Sequence, residues 1–258
     1  MPSLDRMLAA RSIAVVGASE RVGSVGDQVM RQLTKGGYRG AIHPVNPRYA
    51  RLHGLPCAPS LDDLGAVDHV VLAVANAHLE AELEKAVAVG AGSATIFASC
   101  HGTAGDGSPL RERLAAIAGD MPICGGNGMG FLNLEQRLRV CGFHQPYDLE
   151  PGGVAFLSHS GSLFSAMLHN RREVRFNLVV STGLELNTTM DAYLRWALAL
   201  DATRLVALFL ETIRDPAGFR MALRAAEERA VPVVALKVGS SEPGRAAVAT
   251  HSEAIAGD

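Results

Sequence analysis

The sequence has almost no net charge, few cysteines and no long apolar run. Its 24 Lys and Arg stand against 26 Asp and Glu, for a formal charge of −2, so no general attraction to nucleic acid is implied. No apolar run reaches the roughly 18 residues expected of a membrane helix. The opening Met1-Pro-Ser-Leu-Asp-Arg6 lacks the apolar core of a signal peptide. The four cysteines, Cys57, Cys100, Cys124 and Cys141, form no CxxC pair. They read as buried or free thiols in a reducing cytosol, which makes the expected location cytoplasmic, with no metal site. What is present is 48% hydrophobic and 19% charged residues over 258 positions, the composition of a packed globular protein with one large or two ordinary domains.

Apolar β-rich runs alternate with amphipathic segments. Strands are expected at Ser12–Gly17, Ala41–Val45, His69–Ala75, Ala94–Ala98 and Pro122–Gly125, with helices near Ser24–Lys35, His78–Val89 and Ser108–Ala118. Near-continuous apolar strands joined by helical crossovers predict a parallel, doubly wound α/β sheet over residues 1–135. Residues 136–153, with Pro146, Pro151 and Gly152-Gly153, read as an irregular connector. The same grammar restarts over 154–258, with strands Val154–Ser158, Leu178–Ser181, Leu205–Leu210 and Val231–Val238. Helices are expected between them at Gly161–Arg172, Thr188–Leu200 and Pro216–Arg229. The repeat is one of architecture and not of sequence.

Ligands of such folds sit at the carboxyl ends of strands. The first strand opens into Gly17-Ala-Ser-Glu-Arg-Val-Gly23-Ser-Val-Gly26, a glycine-bearing turn that offers backbone N–H groups to an anion. It is not GxGxxG, and the second strand ends Pro44-Val-Asn-Pro-Arg48 where a dinucleotide site wants an acidic residue. Arg21 and Arg48 together therefore suit a ligand with extra phosphate, either the 3′-phospho-ADP of coenzyme A or NADP, with Gly17, Ser19 and Gly23 in the same loop as Arg21; the alternative is an ordinary tight turn. Asn76 and Asn127 are further candidates at the third and fifth strand ends. Cys100 has no evident base partner, and His101 reads as a surface or ligand-edge residue and not as a catalyst.

In the second half, Ser160-Gly161-Ser162 sits where a strand becomes a helix, an anion pocket or a plain N-cap. Glu211 ends an apolar strand, placed either to orient an imidazole or merely to enter a loop. Glu185 and Asn187 are further polar groups at a strand end, and Asp191 opens a helix. His251 stands in a Gly/Ser/Pro-rich stretch after the last strand. A histidine, a carboxylate to orient it and a helix start to hold phosphate are the needs of a phosphohistidine enzyme.

From about Leu8 to Asp258 the chain resembles the CoA-binding half of the nucleoside-diphosphate-forming acyl-CoA synthetases, and it is similar in plan to the succinyl-CoA synthetase alpha subunit. The resemblance rests on Val15-Val-Gly-Ala-Ser19, Pro44-Val-Asn-Pro47, Gly126-Asn-Gly-Met-Gly-Phe-Leu-Asn133, Phe156-Leu-Ser-His-Ser-Gly161, Leu210-Glu211 and Thr250-His-Ser-Glu-Ala-Ile-Ala-Gly257, in that order. It implies a Rossmann-like CoA-binding domain followed by a flavodoxin-like succinyl-CoA-ligase domain. It also implies CoA held by Gly17, Ser19, Arg21, Gly23 and Arg48 with Asn76 and Asn127, a phosphorylated His251 oriented by Glu211, and phosphate at Ser160, Gly161 and Ser162. The substrates are then CoA and a small carboxylic acid. ATP/ADP with Mg²⁺ falls to an ATP-grasp domain or beta subunit, so the chain is expected to be a fragment or to need a partner, and to form an oligomer. The sequence departs from the family where Gly-Pro-Asn-Cys becomes Gly125-Gly-Asn-Gly128, where the small Ser-Ala-Gly-Phe loop becomes Ala98-Ser-Cys-His-Gly102, where the Gly-Asn-Glu loop becomes Gly183-Leu-Glu, and where the commonest Gln before Ser-Gly is His159. Two other readings compete: a non-catalytic CoA- or acyl-CoA-sensing module, and an NADP oxidoreductase.

Overall fold

A computed structural model describes residues 4–105, 107–170 and 172–239. After a short helix α1 (Asp5–Leu8), the first sheet collects β1 (Ser12–Val16), β2 (Ala41–Val45), β5 (His69–Leu72), β6 (Ala94–Ile96) and β7 (Ile123–Gly125). A small antiparallel hairpin, β3 (Arg51–Leu52) and β4 (Leu55–Pro56), hangs between β2 and β5. Helices α2 (Val25–Lys35), α3 (Asn76–Ala88) and α4 (Leu110–Ala118) make the crossovers. The order β2-β1-β5-β6-β7 is parallel throughout. Counting only these five strands it is the doubly wound order 2-1-3-4-5, which reverses direction beside β1.

The second sheet has the order β13-β12-β10-β11-β8-β9. Its parallel strands are β10 (Val154–Ser158), β11 (Phe176–Ser181), β12 (Leu205–Leu210) and β13 (Val233–Lys237), joined by α5 (Gly161–Leu168), α6 (Met190–Ala199) and α7 (Pro216–Glu228). These four repeat the order 2-1-3-4 of the first sheet, so the expected repeat of architecture is present.

The connector is where the sequence reading needs correction. The second sheet already begins at β8 (Gly130–Asn133), and β9 (Leu138–Cys141) lies inside the stretch expected to be irregular. The two form an antiparallel hairpin on β11. Arg139 hid this strand: it is only 3% exposed, with its guanidinium donating to the carbonyls of Pro146 at 2.6 Å and Tyr147 at 3.0 Å. A charge inside a buried strand breaks the apolar pattern that identifies one. Helix α5 also stops short of the expected Arg172. The Asn170 amide donates to the Met167 carbonyl at 2.7 Å, and such side-chain bonds compete with the helical ladder.

The largest of three buried apolar clusters among the described residues joins the halves. Leu4, Met7, Leu8, Met30 and Leu33 belong to the same buried cluster as Phe131, Leu138, Val140 and Tyr193. Polar contacts reinforce it: the Asn133 amide donates to the Leu8 carbonyl at 2.8 Å, and the Leu184 N–H to the Gly126 carbonyl at 2.8 Å. Among the described residues no helix is long and apolar enough to cross a membrane.

Candidate functional site

Two cavities open at the carboxyl ends of the strands and share the side chains of Phe97 and Phe143. The larger, about 520 Å³, lies where the first sheet's order reverses, among the loops that follow β1, β2, β5 and β6. Gly17 starts the β1 loop at φ +80°, where a Cβ would stand 2.5 Å from the Ala73 carbonyl oxygen; no other residue fits that approach. The Arg21 N–H donates to Ser19 Oγ at 2.9 Å, a local turn that exposes the Arg21 side chain. Ser24 then caps α2, its Oγ accepting the Asp27 N–H at 3.2 Å. The loop is fastened by the β3–β4 hairpin. His53 at its tip has Nε2 3.2 Å from the Ser19 carbonyl oxygen and 3.3 Å from the buried Asp27 carboxylate.

Arg48 reaches the same cavity through an Asx turn, with its N–H donating to Asn46 Oδ1 at 3.0 Å while the Asn46 amide donates to the Ala18 carbonyl at 2.8 Å. Asn46 thus ties the second strand end to the first, and Pro44-Val-Asn-Pro47 was its sequence signal. Arg31 is occupied by Asp27 at 2.8 Å. Arg21 and Arg48 are the cations that line the cavity, and both are exposed.

Two expected residues stand elsewhere. Gly23 lies in the loop at φ +83° but does not line the cavity. Asn76 braces the loop after β6, donating to Ser99 Oγ at 3.1 Å and the His101 carbonyl at 3.0 Å and accepting the Cys100 N–H at 3.1 Å. Burial pushes the Cys100 thiol up to about 12, which keeps it protonated and unfit as a nucleophile at neutral pH.

The smaller cavity, about 240 Å³, lies between the halves and takes in Asn127, Gly161, Ser162, His159 and Glu211. Asn127 therefore belongs to this cavity and not to the larger one. Ser160 is the N-cap of α5, its Oγ accepting the Leu163 N–H at 3.2 Å. Gly161 and Ser162 present the helix start to the cavity, where free N–H groups and the helix dipole favour an anion. Glu211, 8% exposed, faces it from the end of β12. Its expected partner His251 lies outside the described residues.

The feature that the sequence did not disclose is the role of His159. Its Nδ1 accepts the Glu211 backbone N–H at 3.1 Å, and its Nε2 stands 3.0 Å from Glu185 Oε1. A backbone amide only donates, so the ring proton is assigned to Nε2, which donates to the Glu185 carboxylate. Arg214 Nε, 3.7 Å from Glu185 Oε2, completes a chain of charge behind the cavity. Asn187 turns away to the other face of the domain junction, accepting the Ile123 N–H at 2.9 Å. Asp191 opens α6, as expected, paired with Arg195 at 2.7 Å.

Two domain families match the chain. Residues 11–129 match the CoA binding domain, and residues 151–258 match the succinyl-CoA ligase like flavodoxin domain. The chain is similar to a trans-feruloyl-CoA synthase from an unknown prokaryotic organism, with 31% identity over 99% of this chain and 37% of that protein. It is also similar to the alpha subunit of an ADP-forming acetate–CoA ligase II from Pyrococcus furiosus, with 28% identity over 98% of this chain and 56% of that one. Among solved structures, it superposes on the dinucleotide forming acetyl-coenzyme A synthetase 1 of Ca. Korarchaeum cryptofilum, in complex with phosphate and ADP, with TM-score 0.88 and 29% identity over 100% of this chain and 56% of that one. The chain thus spans between 37% and 56% of the length of these relatives.

Proposed function

The chain belongs to the CoA-binding and succinyl-CoA-ligase-like domain families, and on that premise we propose that it is the CoA- and phosphate-handling part of an acid–thiol ligase. The observation that carries this reading is the shared Phe97–Phe143 wall. A cationic, glycine-lined cavity suited to a phosphorylated nucleotide abuts an anion-binding helix start flanked by a carboxylate. A thiol on a long arm anchored in the first cavity reaches the second.

The 3′-phospho-ADP end of CoA lies against Gly17, Ser19, Arg21 and Arg48, with Gly23 giving the loop its turn and Asn76 holding the neighbouring loop. Phosphate lies at Gly161 and Ser162, with Ser160 organising the helix start. In the forward direction an acid's carboxylate oxygen attacks the phosphorus of a phosphorylated His251, giving an acyl phosphate and free imidazole. The CoA thiolate then attacks the acyl carbonyl and expels inorganic phosphate, forming the thioester. Glu211 orients His251, and Asn127 contacts the pantetheine or acyl amide-bearing end. An ATP-grasp domain or beta subunit supplies the ATP/ADP and Mg²⁺ site, in a cytoplasmic, oligomeric enzyme. We place the division of the chain at the exit from β7.

CoA and not NADP is the expected ligand, since the matching family binds CoA. A thermal-shift comparison tests this. CoA is expected to raise the melting temperature with a saturating dose dependence, NADP to leave it unchanged, and Arg48→Ala to weaken the CoA effect roughly tenfold, the loss of one charge-assisted contact. A shift by NADP alone refutes the reading.

A further inference from the structure

We infer that the acid accepted at this site is a monocarboxylic acid with an apolar, aryl-sized chain, and not acetate or a dicarboxylate. The inference rests on the ligase reading and adds the substrate class to it. If phosphate lies at Gly161 and Ser162 and the thiol arrives from the larger cavity, the acyl chain must occupy the space between them. That space is walled by Phe97, Met129, Phe143 and Leu184. Phe97 and Phe143 are the residues common to both cavities, so the thioester carbon passes beside two aromatic rings.

Three observations point the same way. Four apolar side chains exceed what one methyl group can cover, whereas an aryl ring can touch all of them. Phe143 is 44% exposed among the described residues, an apolar ring that lines both cavities, and such surface is commonly a binding surface. Its burial by a second ring is favourable through area and ring geometry. Finally, no Lys or Arg lines the cavity among the described residues, and its one charged lining group is the Glu211 carboxylate. A second carboxylate on the substrate would lack a cationic partner and would meet a like charge. Met129 adds an adaptable wall that fits more than one ring substitution.

Calorimetric titration of this chain with CoA, acetyl-CoA, succinyl-CoA and phenylacetyl-CoA tests the inference. Phenylacetyl-CoA is expected to bind roughly tenfold or more tighter than acetyl-CoA, the gain from burying one ring, and succinyl-CoA to bind weakest. Phe143→Ala, at an exposed position that does not threaten folding, is expected to reduce the phenylacetyl-to-acetyl ratio to about twofold. The inference is overturned if CoA binds but phenylacetyl-CoA binds no tighter than acetyl-CoA, or if succinyl-CoA binds tightest. An unchanged ratio in Phe143→Ala overturns the placement of the acyl chain. Failure of CoA itself to bind takes down the ligase reading beneath it.

Discussion

His159 bears on the site through its two ring nitrogens, one accepting from the Glu211 backbone and the other donating to Glu185. It fixes the strand end that carries Glu211 without presenting a free nitrogen to a substrate, which makes it a positioning residue. A glutamine amide offers the same acceptor and donor at similar spacing. His159→Gln is therefore expected to keep both stability and CoA-dependent activity near those of the parent. His159→Leu leaves the buried Glu185 carboxylate without its donor and is expected to cost about 2 kcal/mol in denaturant unfolding. Equal behaviour of the two variants, in stability and in turnover, refutes the positioning role. Residue types at strand ends made the cavity-lining positions of Ser19, Arg21, Arg48, Ser162 and Glu211 legible from sequence, because small, cationic or acidic groups there serve no packing purpose. The donor–acceptor role of His159 was not legible, because its partners lie 26 and 52 positions away.

At the scale of elements, the strands and crossovers followed from apolar runs and their spacing, and the short β8–β9 hairpin did not. Its four-residue strands are fully buried and carry neither an alternation of faces nor an Asn-Gly turn. The same sheets hold a titratable group with a measurable consequence. His69 on β5 is bonded to Ser93 Oγ at 2.8 Å and Thr95 Oγ1 at 2.9 Å, and burial pulls its pKa down to about 3. The folded imidazole stays neutral while the unfolded one takes up a proton near its ordinary pKa of about 6.5. Folding stability is thus fully present above about pH 6.5 and falls as pH drops toward 3, by up to about 1.4 kcal/mol per pH unit. Melting temperatures measured from pH 7 to pH 5 are expected to fall, and His69→Gln to flatten the profile. A profile equally steep in the variant contradicts the assignment.

Across the whole molecule, four parallel strands of each sheet repeat one order, and the largest of three buried clusters among the described residues is common to both halves. Met7, Leu33, Leu138, Phe131 and Tyr193 share a single buried cluster, and Asn133 and Leu184 bond across the junction. Calorimetry is expected to show one cooperative unfolding transition for the chain, and two resolved transitions would contradict the shared core. This coupling keeps the cavities on either side of Phe97 and Phe143 in fixed register, as transfer between a thiol and a phosphate requires. The most direct test runs the proposed chemistry backwards on this chain alone. Incubated with radiolabelled inorganic phosphate and each of acetyl-, succinyl- and phenylacetyl-CoA, the protein is expected to release CoA and free acid and to retain an acid-labile, base-stable phosphate, most strongly with phenylacetyl-CoA. The label is expected to vanish in His251→Ala. A label that persists in that variant, or its absence with every thioester while CoA binds, contradicts the account.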